Sequence, residues 1–166
     1  MRRDERRRGG RGFTLIEMVI VLAILGVLAA AARPLLELTV RREREFALRD
    51  GLRRIRAAID DYERAVARGE IARPKDAPAG LPVYPPSLRV LVDGVATGDA
   101  VDAPRRYFLR RLPRDPFAEA ELPAEATWAL RASNTPPDAP KPGRDVFDVY
   151  SRAEGVGLDG TPYRQW

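Results

Sequence analysis

Glu17 is the residue with the clearest chemical implication, because it is the one charged residue among the twenty positions from Phe13 to Ala32. An ionised carboxylate at the centre of an apolar membrane helix costs about 2.5–3.5 kcal/mol, so it needs a cationic partner nearby. No Lys or Arg lies within this stretch. A helix N-terminus carries partial positive charge, and a free α-amino group exposed by cleavage just before Phe13 would carry a full one. The sequence therefore predicts that Glu17 binds one of these.

The residue types that serve most enzymes are absent from the sequence. The chain has no His and no Cys, which excludes imidazole bases, thiol nucleophiles, disulfides and zinc–thiolate sites. Two carboxylate pairs, Asp60–Asp61 and Asp145/Asp148, resemble acid–base dyads, but adjacent helical residues point in different directions. We expect these acids to lie on a solvated surface and the protein not to be an enzyme.

The basic charge of the chain is concentrated near its N-terminus. The 166 residues carry a net charge of +5, with 45% hydrophobic and 32% charged residues, which excludes a disordered chain and a polytopic membrane protein. Residues 1–12 carry +4 and residues 33–56 carry another +4, whereas residues 57–166 carry −2. We therefore expect no nucleic-acid partner.

The apolar stretch 13–32 is long enough to cross a membrane. Twenty helical residues extend about 30 Å, the thickness of the hydrocarbon core. A core helix of this length in a soluble protein normally shows a polar face, and this stretch has none. A secretory signal peptide, cut near Ala29–Ala32 to release a soluble domain, is the main alternative to a retained anchor. Glu17 favours the anchor. Six Arg precede the stretch and five follow it closely, so charge alone does not set its orientation.

The helix is predicted to continue beyond the apolar stretch over residues 33–68. Pro34 predicts a kink rather than an end, because acid–base pairs at i,i+4 resume at Glu37. A stripe spaced four and three residues apart predicts one face packed on the C-terminal domain: Leu48, Leu52, Ile55, Ile59, Tyr62 and Val66. Gly69 and Pro74 predict the end of the helix.

Residues 69–166 predict a small α+β head. The prolines at 85 and 86 predict a short helix after them, and residues 127–131 and 145–151 predict strands. The last segment, 161–166, is predicted to lie at a sheet edge because Pro162 cannot donate to a ladder. The fold class is α+β, with a long N-terminal helix and a small antiparallel sheet.

The segment Arg11-Gly12-Phe13-Thr14-Leu15-Ile16-Glu17 resembles the processing site of type IV pilins and type II secretion pseudopilins. The resemblance implies that residues 1–12 are a leader, that a prepilin peptidase cleaves the Gly12–Phe13 bond, and that it methylates the new amino group of Phe13. It implies that Glu17 engages the amine of a neighbouring subunit during filament assembly. It also places Pro34 at the helix kink of this family.

The head resembles that of a major pseudopilin, the G-type subunit of type II secretion systems. The likeness rests on Tyr84-Pro85, on residues 112–117 (LPRDPF) and on residues 147–151 (FDVYS). It implies a single-pass protein of the bacterial inner membrane with a periplasmic head, which joins other pseudopilins and an assembly platform to support protein secretion. The alternatives are a type IV pilus minor pilin, a competence pseudopilin, or a soluble binding domain released by signal peptidase.

Many G-type subunits bind calcium in the last loop, and here Ser151 and Asp159 are the candidate ligands. Calcium requires six to eight oxygen ligands. Residues 151–160 add only Glu154 to these two, without a dense acidic cluster. A Gly-rich turn with Asp159 as a turn residue is the alternative.

Overall fold

The computed structural model describes residues 12–166, except 75, 76, 78, 79, 99 and 101, and except the side chains of 31–36. Residues 1–11 and the side chain of Pro34 therefore lie outside the described residues. The leader and the kink at Pro34 stay predictions.

Helix α1, Leu15–Ala67, is the longest element of the chain. Gly69 follows its last residues and terminates it, as the sequence predicts. The Gly69 N–H donates to the Val66 carbonyl at 3.0 Å, and the Glu70 N–H donates to the Ala65 carbonyl at 2.9 Å. Gly69 has a φ of 69°, the left-handed conformation that this pair of bonds requires and that glycine adopts without a Cβ penalty.

The chain divides into two compact units, Met1–Arg41 and Arg42–Trp166. In the first unit, the side chains of residues 12–30 are all exposed, although most of them are apolar. Leu15 is 83% exposed and Val27 is 70% exposed. Among the described residues, no helix is both long and apolar enough to span a membrane.

The core of the second unit forms around the predicted stripe of α1. The six stripe residues are all buried, which confirms the prediction from their spacing. Trp128, fully buried, packs over Gly51, where an added Cβ would lie 3.3 Å from two indole carbons. The indole N–H of Trp128 donates to the Pro113 carbonyl at 2.9 Å. Glycine at position 51 thus lets a large aromatic ring approach the helix.

The strands of the head form two separate antiparallel pairs. After α2 (Leu88–Asp93), β1 (Val95–Ala96) pairs with β2 (Arg105–Arg106), and β3 (Trp128–Arg131) pairs with β4 (Asp148–Ser151). A 3-10 helix, Ala124–Thr127, leads into β3. The strand predicted at 145–151 begins only at Asp148. The Val146 N–H donates to the Pro85 carbonyl, outside the ladder. The α+β class is confirmed, as is the short helix after the prolines.

The prediction of an edge strand at 161–166 is wrong. Tyr163–Gln165 form a 3-10 helix, and the one pairing nearby is an isolated bridge between Val156 and Pro162. Tyr163 is buried, and its ring stacks on Phe117 at 4.4 Å between centroids. By turning inward, the segment buries this aromatic ring, and burial of aromatic side chains contributes strongly to core packing.

Candidate processing and assembly site

The start of α1 is fixed by Thr14, which acts as its N-cap. The Thr14 hydroxyl accepts a hydrogen bond from the Glu17 N–H at 3.2 Å, and the Thr14 carbonyl accepts one from the Met18 N–H at 3.2 Å. The first N–H groups of a helix have no partner within the helix, so a side-chain oxygen at this position satisfies one of them. Leu15 is therefore the first helical residue, and Glu17 is the third.

Glu17 lies in the first turn of α1, where the helix dipole favours a negative charge. Its side chain is exposed, and no Lys or Arg within the described part of the chain forms an ion pair with it. The dipole supplies only part of the positive charge that an apolar environment would demand. An exposed carboxylate in this position can accept a further cationic partner.

The Gly12–Phe13 bond lies immediately before the capped helix and is accessible. The Phe13 side chain is 72% exposed, and a Cβ built on Gly12 meets no atom within 4 Å. The packing of this chain therefore does not require glycine at position 12. Cleavage here would place a free α-amino group on Phe13, one residue before the Thr14 cap.

Thr14 caps the helix within the candidate site, and the sequence-based prediction of the site did not include it. The pattern Thr14-Leu15-Ile16-Glu17 matches the S/T-x-x-E signature of a capping box, in which the first hydroxyl bonds the N–H of the fourth residue. The structure shows this bond from the Glu17 N–H to the Thr14 hydroxyl, which is one of the two bonds of a capping box. The signature was therefore present in the sequence, within the motif that places Glu17.

Residues 7–32 match the family model described as the prokaryotic N-terminal methylation motif. This chain carries a type IV pilin-like prepilin signal. Gly12, Phe13, Thr14 and Glu17 all fall within the methylation motif, at the accessible bond and the capped first turn described above. No curated protein and no solved structure shows significant similarity to the chain.

The methylation motif relates the exposure of the Gly12–Phe13 bond to processing. Processing of such a motif removes a leader and modifies the new N-terminal residue. Both steps require that the bond be accessible. The match ends at residue 32, and residues 33–166, including the whole head, lie beyond it.

The two calcium candidates have different partners and do not converge. Ser151 is buried, and its hydroxyl donates to an Asp115 carboxylate oxygen at 2.5 Å. One Asp159 oxygen accepts from the Arg49 guanidinium at 2.5 Å, and the other accepts from the Thr161 N–H at 2.9 Å. No group of three or more acidic residues that could hold a metal ion occurs in the described part of the chain. These residues do not fit a calcium ion.

The predicted surface acids also have partners. Asp148 forms ion pairs with Arg56 at 2.7 Å and with Arg131 at 3.5 Å. Asp61 forms ion pairs with Arg64 and Arg106, both at 3.3 Å. Each pair therefore contains a carboxylate that takes part in structural ion pairs with arginines.

Proposed function

We propose that the protein is a structural subunit, not an enzyme, which a prepilin peptidase cleaves at Gly12–Phe13 and methylates on Phe13. The mature chain polymerises through the N-terminal part of α1. The observation that carries the proposal is the methylation motif, with its scissile bond accessible and followed at once by a capped helix. In the membrane, residues 13–32 anchor the monomer before assembly.

Glu17 provides the specificity of assembly. Its carboxylate and the Phe13 amine of a neighbouring subunit are both unfavourable in an apolar environment when alone. They offset each other's desolvation when two helices stack with Glu17 of one beside Phe13 of the next. Because the Thr14 cap bonds the N–H of Glu17 rather than its carboxylate, the side chain can accept this second partner.

The filament that we propose is the pseudopilus of a type II secretion system. The subunit crosses the inner membrane once, exposes its head to the periplasm, and joins other pseudopilins and an assembly platform. Support comes from the head, where two of the three segments that resemble G-type subunits, residues 112–117 and 147–151, meet directly. Asp115 of LPRDPF accepts the hydrogen bond from Ser151 of FDVYS, and both residues are buried.

Processing by a prepilin peptidase is the step that tests this proposal. Co-expression of the full chain with such a peptidase should remove residues 1–12 from the wild type, and Gly12→Val should retain the leader. Gly26→Val is the matched control, because a Cβ at Gly26 also meets no atom within 4 Å. Leader removal from Gly12→Val at the wild-type rate would contradict the proposal.

A further inference from the structure

The C-terminal loop, residues 152–162, is held in a tight conformation by its own main chain. The Gly157 N–H donates to the Thr161 carbonyl at 2.8 Å, and the Gly160 N–H donates to the Gly157 carbonyl at 2.9 Å. Asp159 accepts from the Thr161 N–H at 2.9 Å, which closes a side-chain turn. The second Asp159 oxygen then points to a partner outside the loop.

That partner is a cation from α1. The Arg49 guanidinium donates to Asp159 at 2.5 Å, and its central carbon lies 4.1 Å from the centroid of the Trp166 ring. Both ion-pair side chains are about half exposed, 49% for Arg49 and 44% for Asp159. A guanidinium suits this position because its planar face stacks on an aromatic ring while its edge donates to a carboxylate.

Two further residues on the same face of α1 hold the same region. Glu45, one turn before Arg49, accepts from the Leu158 N–H at 3.0 Å and from the Tyr163 hydroxyl at 2.9 Å. Arg56 donates to the main-chain oxygen of Trp166 at 2.7 Å. The loop and the residues after it are therefore bound to the helix by charged side chains on one face.

We propose that Arg49 takes the place of a divalent cation in ordering the C-terminal loop. A calcium site needs six to eight oxygens, and here both Asp159 oxygens and the Ser151 hydroxyl have protein partners. The guanidinium supplies the positive charge that Asp159 requires, without a metal ion. The order of this loop is therefore independent of calcium, and this holds whatever filament the chain builds.

The full chain in detergent micelles provides the test, with trypsin cleavage after Arg152, an exposed residue, as the probe of loop order. Wild-type cleavage should proceed at the same rate with calcium chloride as with the chelator EGTA. Arg49→Met should raise the cleavage rate several-fold under both conditions. Arg53→Met is the matched control, because Arg53 is 66% exposed and pairs with Asp50 on the same helix; it should cleave like the wild type.

A double-mutant cycle separates the loss of the contact between Arg49 and Asp159 from a general loss of stability. Arg49→Met and Asp159→Asn should each raise the cleavage rate, and the two changes together should raise it little further, because one contact is lost in each case. Far-ultraviolet circular dichroism shows that each variant keeps its secondary structure. Slower wild-type cleavage in calcium than in EGTA would overturn the proposal, as would equal rates for Arg49→Met and Arg53→Met.

Discussion

The Thr14 hydroxyl accepts a hydrogen bond from the main-chain N–H of Glu17 at 3.2 Å, so helix capping and the Glu17 carboxylate use different atoms. A change of the Glu17 side chain leaves this bond in place. Effects on assembly can therefore be separated from effects on the start of the helix.

Substitution of Glu17 should block assembly without blocking processing. Glu17→Ala and Glu17→Gln both keep the N–H that Thr14 bonds, but both remove the negative charge that pairs with the Phe13 amine. We expect the leader to be cleaved normally and filaments to be reduced at least tenfold, since a buried ion pair that loses one partner leaves an uncompensated charge, at a cost of about 3–5 kcal/mol. Immunoblots report cleavage, and electron microscopy of sheared filaments reports assembly. Normal filament yield from Glu17→Gln would refute the pairing.

Removal of the Thr14 hydroxyl should loosen the first turn of α1. Loss of an N-cap costs about 1 kcal/mol, which corresponds to a roughly fivefold increase in local opening. Thr14→Val should therefore speed amide hydrogen exchange at Glu17 about fivefold in micelles, whereas Thr14→Ser, which keeps a hydroxyl, should not. Equal exchange in the two variants would show that the cap does not stabilise the turn.

The hydrogen bond between Ser151 and Asp115 should stabilise the head more than a similar bond on the surface. Ser151→Ala leaves a buried carboxylate with one donor fewer, at a cost of about 1.5–3 kcal/mol. Ser133→Ala removes an exposed bond to Asp145 of 2.7 Å and should cost about 0.5–1 kcal/mol. Urea unfolding of the full chain in micelles measures both. Equal losses would show that burial of Asp115 does not matter.

Acid should weaken the ion pairs that the Glu70 carboxylate forms just after the end of α1. Hydrogen bonding to the Arg68 guanidinium at 2.6 Å, aided by the charge of Arg106, holds the pKa of Glu70 below its reference value of 4.5. Because the folded pKa is lower than the unfolded one, Glu70 stabilises the protein above pH 4.5. That contribution is lost as the pH falls through the folded pKa.

Glu70→Gln should therefore flatten the acid side of the stability profile, measured as the urea midpoint against pH. Glu119→Gln is a suitable control, because Glu119 is exposed and Arg114 bonds its carbonyl rather than its carboxylate. An unchanged acid slope in Glu70→Gln would contradict the assignment.

The helical features of the fold were predictable from the sequence because they depend on local spacing. The stripe from Leu48 to Val66 repeats every three or four residues, and Gly69 ends the helix through a conformation that glycine favours. The prediction for residues 161–166 was wrong because their conformation depends on distant residues. Glu45 lies 118 positions from Tyr163, and no local pattern indicates that contact.

In the candidate sites, too, the features that depend on neighbouring residues were predictable, and those that depend on distant residues were not. Gly12, Phe13 and Glu17 lie close together in the chain, so a short motif identifies them, and the capping signature of Thr14 lies in the same segment. The calcium hypothesis rested on residue types within one loop. It did not account for Arg49, which lies 110 positions before Asp159 and binds its carboxylate.

Mass spectrometry of the N-terminal peptide of the mature protein, isolated from cells with an active prepilin peptidase, decides whether the chain is processed as a prepilin. We predict that the peptide begins at Phe13 and carries one additional methyl group on its amino nitrogen. A mature chain that begins at Arg33, or one that still begins with the leader, would contradict processing at Gly12–Phe13.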